Sequence, residues 1–384
     1  MTVSIRLVGS ESELPAELWD ACFPPPFEGR WWYAVLEASQ LKDQFQFFYG
    51  LISLDGVAVG IAPVFLMNAP VAVVMPDAIA KILQFLGRAF PSLLHQKMLF
   101  VGSPCADEGT VGFAGIVDRA AVFHALQLEL EQLARQTRAK TIIWKDFPAD
   151  YREPLEAVAN HHGLFRLESF PGTHLSLLSG KKADYFARLK GSRRHQVKKK
   201  MRLSRERVEL TSEVIAAPTA AVLDEVFGLF MQTYERSDTK FERLGREFFT
   251  QIASQNVSRF VLLREVESGA LVAFMLCFHV GSRVINKFIG FDYERPRDWL
   301  LYFRLWEAAL DWALSVEADS IQSGQTGYAA KIEVGHQLVP LVNYCRHQNP
   351  VINAIYRRIA RSISWETLDD DLARHVRAHP VEPD

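Results

Sequence analysis

Apolar and polar residues alternate over residues 3–8, the two-residue period of a short strand. A helix is expected from about Pro15. A second spans residues 28–39, with Trp31, Trp32, Val35 and Leu36 on its inner side. Two apolar runs, 45–53 and 57–66, flank Leu54-Asp55-Gly56, and a turn between such runs predicts a hairpin. A third strand is expected at 71–75. Between 76 and 117 the pattern is less regular, with a helix near 78–86, a strand at 98–102 and a Gly-rich loop around 105–115. Asp118 is placed to cap a helix running to about residue 136, whose Val122, Leu126, Leu130 and Leu133 share one face. A strand at 141–147, a helix at 151–161 and strands near 164–168 and 173–178 close the first half.

The second half repeats this order. Helices are expected at 218–234 and 244–254, followed by strands at 259–266 and 270–280 joined through Glu267-Ser268-Gly269. A third strand covers 283–290, and Asp298 is placed to cap a helix to about residue 316 that is apolar nearly all round, hence buried. A strand at 320–323, a helix near 328–335, a strand at 338–346 and a helix at 350–363 follow, and the charged tail reads as poorly ordered. The runs FFYGLISLDGVAVGIAPVFL and FVLLREVESGALVAFMLCFH correspond in strand, turn and strand, which reads as an internal duplication. The fold class is therefore α/β with mixed α+β sheets, in two units. One covers 1–179 and the other 180–364, with 365–384 as a flexible tail.

Charge alters this picture at one place. Arg188 to Arg207 holds ten Lys or Arg residues and one acid, Glu206, while the whole chain has 43 basic and 45 acidic residues. Val197, Met201 and Val208 give this helix a thin apolar stripe, and its other faces are cationic. Unpaired charge of one sign repels itself, so an anion from a ligand or from the protein body must offset it. Four scattered cysteines without CxxC spacing argue against a zinc site or disulfide framework, and no metal is expected; a reducing cytoplasm fits. The uncharged run 57–75 is broken by Pro63, Asn68 and Pro70 and reads as two buried strands, so no transmembrane helix is expected.

Candidate chemistry gathers at SGQTGYAAKIE, residues 323–333, between a strand and a helix. Gly324 and Gly327 let a ligand approach the main chain, and Tyr328 and Lys331 share one helix face. Together they are suited to protonating a leaving group and stabilising developing negative charge. Asp292, before the long helix, is a candidate base for an attacking amine, or else a cap. Lys145 ends a strand beside Asp146, where open α/β sheets place ligands, although the two equally suit an ion pair. Gln325 and Tyr302 join Lys145 as candidate substrate-binding residues. HExxH, GxSxG, Walker and GxGxxG motifs are absent from the sequence, which weakens hydrolase, kinase and dinucleotide readings.

Three stretches carry a family resemblance: RLKGSRRHQVKKKMRL, NKFIGFDYERPRDWLLYFRLWEAALDWA and GQTGYAAKIEVGHQLVPL. The chain resembles two tandem GNAT units joined by a basic helix, as in the Fem family of aminoacyl- and acyltransferases. It is more similar still to bacterial GNAT proteins grouped with the cellulose-biosynthesis protein CelD. The resemblance implies an N-acyltransferase in which an amine attacks an activated acyl group at the second unit to give an amide. It implies Lys331 as an oxyanion stabiliser and Arg193 and Arg194 as phosphate holders for a small-molecule amine acceptor or for the donor. Acyl-CoA users of this fold carry a glycine-rich phosphate loop before the long helix, whereas FDYERPRD stands here, with Asp292, Glu294 and Asp298. An acyl- or aminoacyl-tRNA donor therefore stays open beside acyl-CoA. Two alternatives remain, a tRNA-dependent Fem-type ligase and a non-enzymatic polyanion-binding protein.

Overall fold

The computed structural model describes residues 2–70, 95–177, 181–237 and 242–379. The strand expected at 71–75 and the helix near 78–86 lie outside them. One sheet has the order β1 (Val3–Val8), β2 (Phe45–Leu54), β3 (Val57–Pro70), β4 (His95–Val101), β6 (Thr141–Phe147), β15 (Val342–His347), β7 (Phe165–Glu168). The short β5 (Gly112–Phe113) lies beside β3. The other sheet has the order β9 (Leu210–Ile215), β10 (Ser258–Glu265), β11 (Leu271–Val280), β12 (Arg283–Phe291), β13 (Ser320–Gln322), β8 (Gly172–Ser176), β14 (Gln337–Val339). The two orders correspond place by place. In each, the fourth and fifth strands pair in parallel and their neighbours pair antiparallel. The hairpins at Gly56 and Gly269, both with positive φ, occupy equivalent places, so the duplication is real.

The sixth place in each sheet is filled by exchange. β15 comes from near the C-terminus and lies between β6 and β7, whereas β8 comes from the first half and lies between β13 and β14. The single strand expected at 338–346 is thus two strands in different sheets. Pro340, which has no N–H to give a ladder, separates them. Strands also cross the expected 179/180 boundary in both directions. β3 continues through Pro63 to Pro70 as one strand rather than breaking there. The edge strand β9 has only Leu210 buried, which left little periodicity to see.

Helices fill three layers. On the outer face of the first sheet, α3 (Arg119–Thr137) and α4 (Arg152–His162) bury Leu126, Leu130 and Leu155 with Ile142 and Trp144. Asp118 caps α3 as expected, accepting from Ala121 N at 3.1 Å. Between the sheets, α1 (Ala16–Cys22), α2 (Arg30–Ala38), α7 (Ala220–Arg236) and α8 (Arg246–Ala253) share one core built from both halves, including Trp32, Phe65, Phe248 and Phe278. On the far face of the second sheet lie α5 (Lys182–Arg188), the basic α6 (Gly191–Arg207) and the long α9 (Leu301–Ser315), with Val197, Met201, Leu305 and Trp306 buried together.

Asp298 does not cap α9. The helix starts from Leu300, which is left-handed at φ 51 with no side-chain cap, while Asp298 pairs with Arg207 at 3.5 Å. After α10 (Tyr328–Glu333) and α11 (Pro350–Ala360), the expected loose tail forms α12 (Trp365–Leu368) and α13 (Asp370–Ala378). Asp369 caps α13, Leu372 and Ala373 are buried, and Asp371 accepts from Ala329 N at 3.1 Å. Its charges had masked a helix with one narrow apolar face. No described helix is long and apolar enough to cross a membrane.

Candidate active site

The site follows from how β12 and β13 part. They pair in parallel from Arg283 opposite Ser320 to Ile285 opposite Gln322; there β13 ends while β12 runs on to Phe291. Against β11, the register of β12 slips where Leu276 faces Phe288 and Cys277 faces Asn286, leaving Lys287 as the extra, bulged residue. A bulge re-aims a side chain next to a site. Where the strands part, a cavity of about 600 Å³ opens between the halves of the molecule. Phe100, Ile143 and Leu167 from the first half and Phe230, Met275 and Phe288 from the second form its apolar walls.

The loop after β13 turns through left-handed residues, Gly324 at φ 48, Thr326 at 65 and Gly327 at 63. This path aims three successive carbonyls at one point, occupied by Lys331 Nζ. The ammonium donates to Ser323 O, to Gly324 O at 3.2 Å and to Gln325 O at 3.0 Å. Burial pushes its pKa down to about 8, with Asp107 the opposing charge. A Cβ at Gly324 would meet Asp107 Oδ1 at 3.0 Å, so the loop and Asp107 are close neighbours.

Asp107 stands between two lysines. Lys287 Nζ is 3.5 Å from Asp107 Oδ1, 2.7 Å from Glu28 Oε1 and 4.9 Å from the Trp32 ring centroid. Burial pushes the Asp107 carboxyl up, against the pull of Lys287 and Lys331. Lys287 loses charge preference through burial, but Asp107 and Glu28 outweigh that and raise its pKa. Gln322 Nε2 adds a hydrogen bond to Asp107 Oδ2 at 3.3 Å. Elsewhere in the cavity, the Asp146 carboxylate holds Lys145 and accepts from Ser169, while its backbone N–H donates to Asn343 Oδ1 at 2.7 Å. Asn343 belongs to the exchanged β15, so the strand exchange completes the cavity wall.

Of the residues expected from sequence, Lys331, Gln325, Tyr302 and Lys145 line the cavity. Gln325 Nε2 donates to Phe170 O at 2.9 Å, and burial raises the Tyr302 phenol. Tyr328 lies outside the lining, fully buried, with its phenol donating to Pro171 O at 2.9 Å. Asp292 also lies outside it, accepting from Glu294 N at 3.0 Å and pairing with Arg295 at 3.0 Å in a turn. Arg193 and Arg194 sit on the first turns of α6, beyond the cavity lining.

The protein itself supplies much of the anion that α6 needs. Lys200 pairs with Glu333 at 2.6 Å, Arg205 with Glu307, and Arg207 with Asp298 at 3.5 Å. Among the described residues, Arg193 and Arg194 have no ion-pair partner. Sequence reasoning missed Asp107 and Lys287. The latter carried a signal, as the lone charge within the apolar run VINKFIGF.

The segment from Asp292 to Leu300 leads into the long helix α9. It contains no glycine, and its Arg295 is held by Glu265 at 3.1 Å and Asp292 at 3.0 Å.

A profile of the FemAB-like family, described as peptidoglycan biosynthesis/recognition, matches residues 10–367. The chain belongs to the FemAB-like family. Solved structures agree on the fold at low identity. FemX is 13% identical, with 93% of this chain and 100% of FemX covered at a TM-score of 0.58. A tandem GNAT protein from the clavulanic acid biosynthesis pathway is 12% identical, with 91% and 99% covered at 0.53. L-PGS from Bacillus licheniformis is 13% identical, with 85% and 95% covered at 0.50. This FemAB-like chain therefore has the Fem-like tandem GNAT fold. No curated protein sequence matches it.

Proposed function

We propose that this protein is an N-acyltransferase joining an activated acyl group to an amine of a cell-envelope or specialised-metabolite precursor. The observation that carries the reading is the parting of β12 from β13 onto an apolar-walled cavity that holds Asp107, Lys287 and Lys331. Beyond Ile285 the backbone of β12 has, among the described residues, no strand on its β13 side, so amides of a bound substrate can pair there. The apolar walls exclude water from the acyl group.

In the proposed reaction the amine nitrogen attacks the acyl carbonyl carbon. A C–N bond forms and negative charge develops on oxygen. Collapse then breaks the bond to the donor's ester oxygen or thioester sulfur, which leaves with its electron pair. Asp107, its carboxyl raised by burial, takes the proton shed by the amine. Lys287 and Lys331 supply the positive charges beside which the oxyanion forms. Because its protons are directed at three carbonyls, Lys331 acts by shaping the loop and by charge rather than by a direct hydrogen bond.

The donor's carrier is proposed to be a polyanion such as tRNA rather than CoA. The acidic segment before α9 and the unpaired Arg193 and Arg194 favour that reading. Four free cysteines suit a reducing cytoplasm. The test incubates the full chain with amine-bearing muropeptide precursors and either aminoacyl-tRNA or acyl-CoA, and follows the amide product by mass spectrometry. The expected result is an amide formed from aminoacyl-tRNA. No amide from either donor, with tRNA binding that collapses as salt rises, would instead mark a polyanion-binding protein.

A further inference from the structure

On the outer face of the first sheet, away from the cavity, three histidines meet. His124 comes from α3, and His161 and His162 end α4. One ring nitrogen from each lies within 4.8 Å of the others, and the ring centroids are 4.5, 4.6 and 5.0 Å apart. It is the one cluster of this kind among the described residues. His162 Nε2 is 2.9 Å from His124 Nδ1, and its other nitrogen, Nδ1, is 3.1 Å from Glu131 Oε1.

We infer that His124, His161 and His162 form a site for a divalent transition-metal cation, with Glu131 orienting His162 from behind. Three features argue for it. Imidazole is a ligand for zinc, cobalt, nickel and copper, and three of them meet here with one nitrogen each within 4.8 Å of the others. A carboxylate on the far nitrogen of a liganding histidine fixes the tautomer that leaves Nε2 free, and this is the partner metal-bound histidines ordinarily have. Glu131 is itself fixed, by Arg346 and by Gln127 Nε2 at 3.3 Å.

The nitrogens need little movement. Ligands at about 2.0–2.1 Å in a tetrahedron stand roughly 3.4 Å apart, so rotation of the exposed His161 ring would close the set. Three protein ligands leave a fourth position to water. The site lies on the opposite face of β6 from the cavity, since Trp144 points outward to Gln127 Oε1 at 2.9 Å while Ile143 and Lys145 line the cavity. Arg346 comes from the exchanged β15. A cation here would therefore tie α3 to α4 directly, and to the exchanged strand through Glu131. No sequence motif announces the site, because its ligands come from two helices separated by β6.

The test titrates Zn²⁺, and separately Co²⁺, into the untagged, metal-stripped full chain at neutral pH. Calorimetry gives stoichiometry, and the Co²⁺ visible spectrum reports nitrogen ligation. One equivalent should bind and raise the melting temperature. Glu131→Gln should weaken the metal by about 10–100-fold, as loss of an orienting partner does. His161→Ala, at an exposed position that does not endanger folding, should weaken it at least as much and abolish the tetrahedral cobalt spectrum. No binding to the wild-type chain, or binding to His161→Ala and His124→Ala as tight as to the wild type, would overturn the assignment and leave the three rings as a packing cluster.

Discussion

Replacing Lys331 with Met tests the carbonyl cage through pH. In the folded chain burial holds this lysine near a pKa of about 8, against an ordinary 10.5. Between those values the unfolded chain binds a proton that the folded chain has released. Stability therefore rises with pH across that window, and is lower below it because the ammonium must be kept charged without water. Linkage with these two pKa values gives a gain of about 2 kcal/mol between roughly pH 7.5 and 9.5. Lys331→Met carries no such term, and every other titrating group is common to both chains. The difference between their urea-unfolding free energies, measured at several pH values, should thus change by about 2 kcal/mol in favour of the wild type as pH rises. At neutral pH the variant leaves the carbonyls of Ser323 and Gln325 without this donor, a cost of about 1–3 kcal/mol for each that stays dry, while Gly324 O keeps its bond from Thr173 Oγ1 at 3.1 Å. Relief of the buried charge opposes that cost. A difference that stays flat from about pH 7 to 10 would mean that Lys331 titrates as in water, and the buried cage would be wrong.

Asp107→Asn should lower amide formation by about 10²–10⁴-fold in turnover, measured with saturating donor, because it removes the proposed base while keeping the bond to Gln322 sterically possible. Unchanged turnover would move the base elsewhere. Gly324→Ala puts a methyl 3.0 Å from Asp107 Oδ1 at a left-handed φ of 48, and should destabilise the chain by about 1–3 kcal/mol in denaturant titration. Changing Arg193 and Arg194 together to Ala should leave stability within about 0.5 kcal/mol, since neither has an ion-pair partner among the described residues. The same pair of changes should make the salt dependence of tRNA binding shallower by roughly 2 in log–log slope, read by fluorescence anisotropy.

What the sequence revealed and what it hid differ by the range of the forces involved. The hairpins were legible because Gly56 and Gly269 mark turns between apolar runs, and local backbone chemistry decides such turns. The loop around Gly324 and Gly327 was legible for the same reason, and it brought Lys331 and Gln325 to the cavity. Tyr328 shares a face with Lys331 in the abstract, but α10 packs so that the phenol reaches Pro171, a contact 157 residues distant in sequence. Asp107 and Lys287, 180 residues apart, meet only because a bulge in β12 turns the lysine toward the first half. Lys200 and Arg205 of α6 are answered by Glu333 on α10 and Glu307 on α9, and Arg207 by Asp298 just before α9, and helical spacing alone does not show that. Tertiary neighbours set both the chemistry of the cavity and the silence of several candidates.

The strand exchange carries this furthest, because it makes the two units one folding problem. Divided at residue 179, the first piece would keep β8 with no sheet to join and would lose β15, the one strand linking β7 to its sheet. The second piece would keep β15 without β6 and lose β8, which carries β14. Each piece would expose the ladder groups of a central strand and the apolar residues of the core shared between the sheets, including Trp32 and Phe278. Unpaired central edges template aggregation. Residues 1–179 and 180–384, expressed singly, should be insoluble or lack a cooperative melt, whereas co-expression should return a soluble complex whose melting approaches that of the intact chain. Circular dichroism and size-exclusion chromatography measure both. A soluble, cooperatively melting monomer of residues 1–179 alone would show that the first sheet closes without β15, and the exchange would then be an ornament on two independent domains instead of the bond between them.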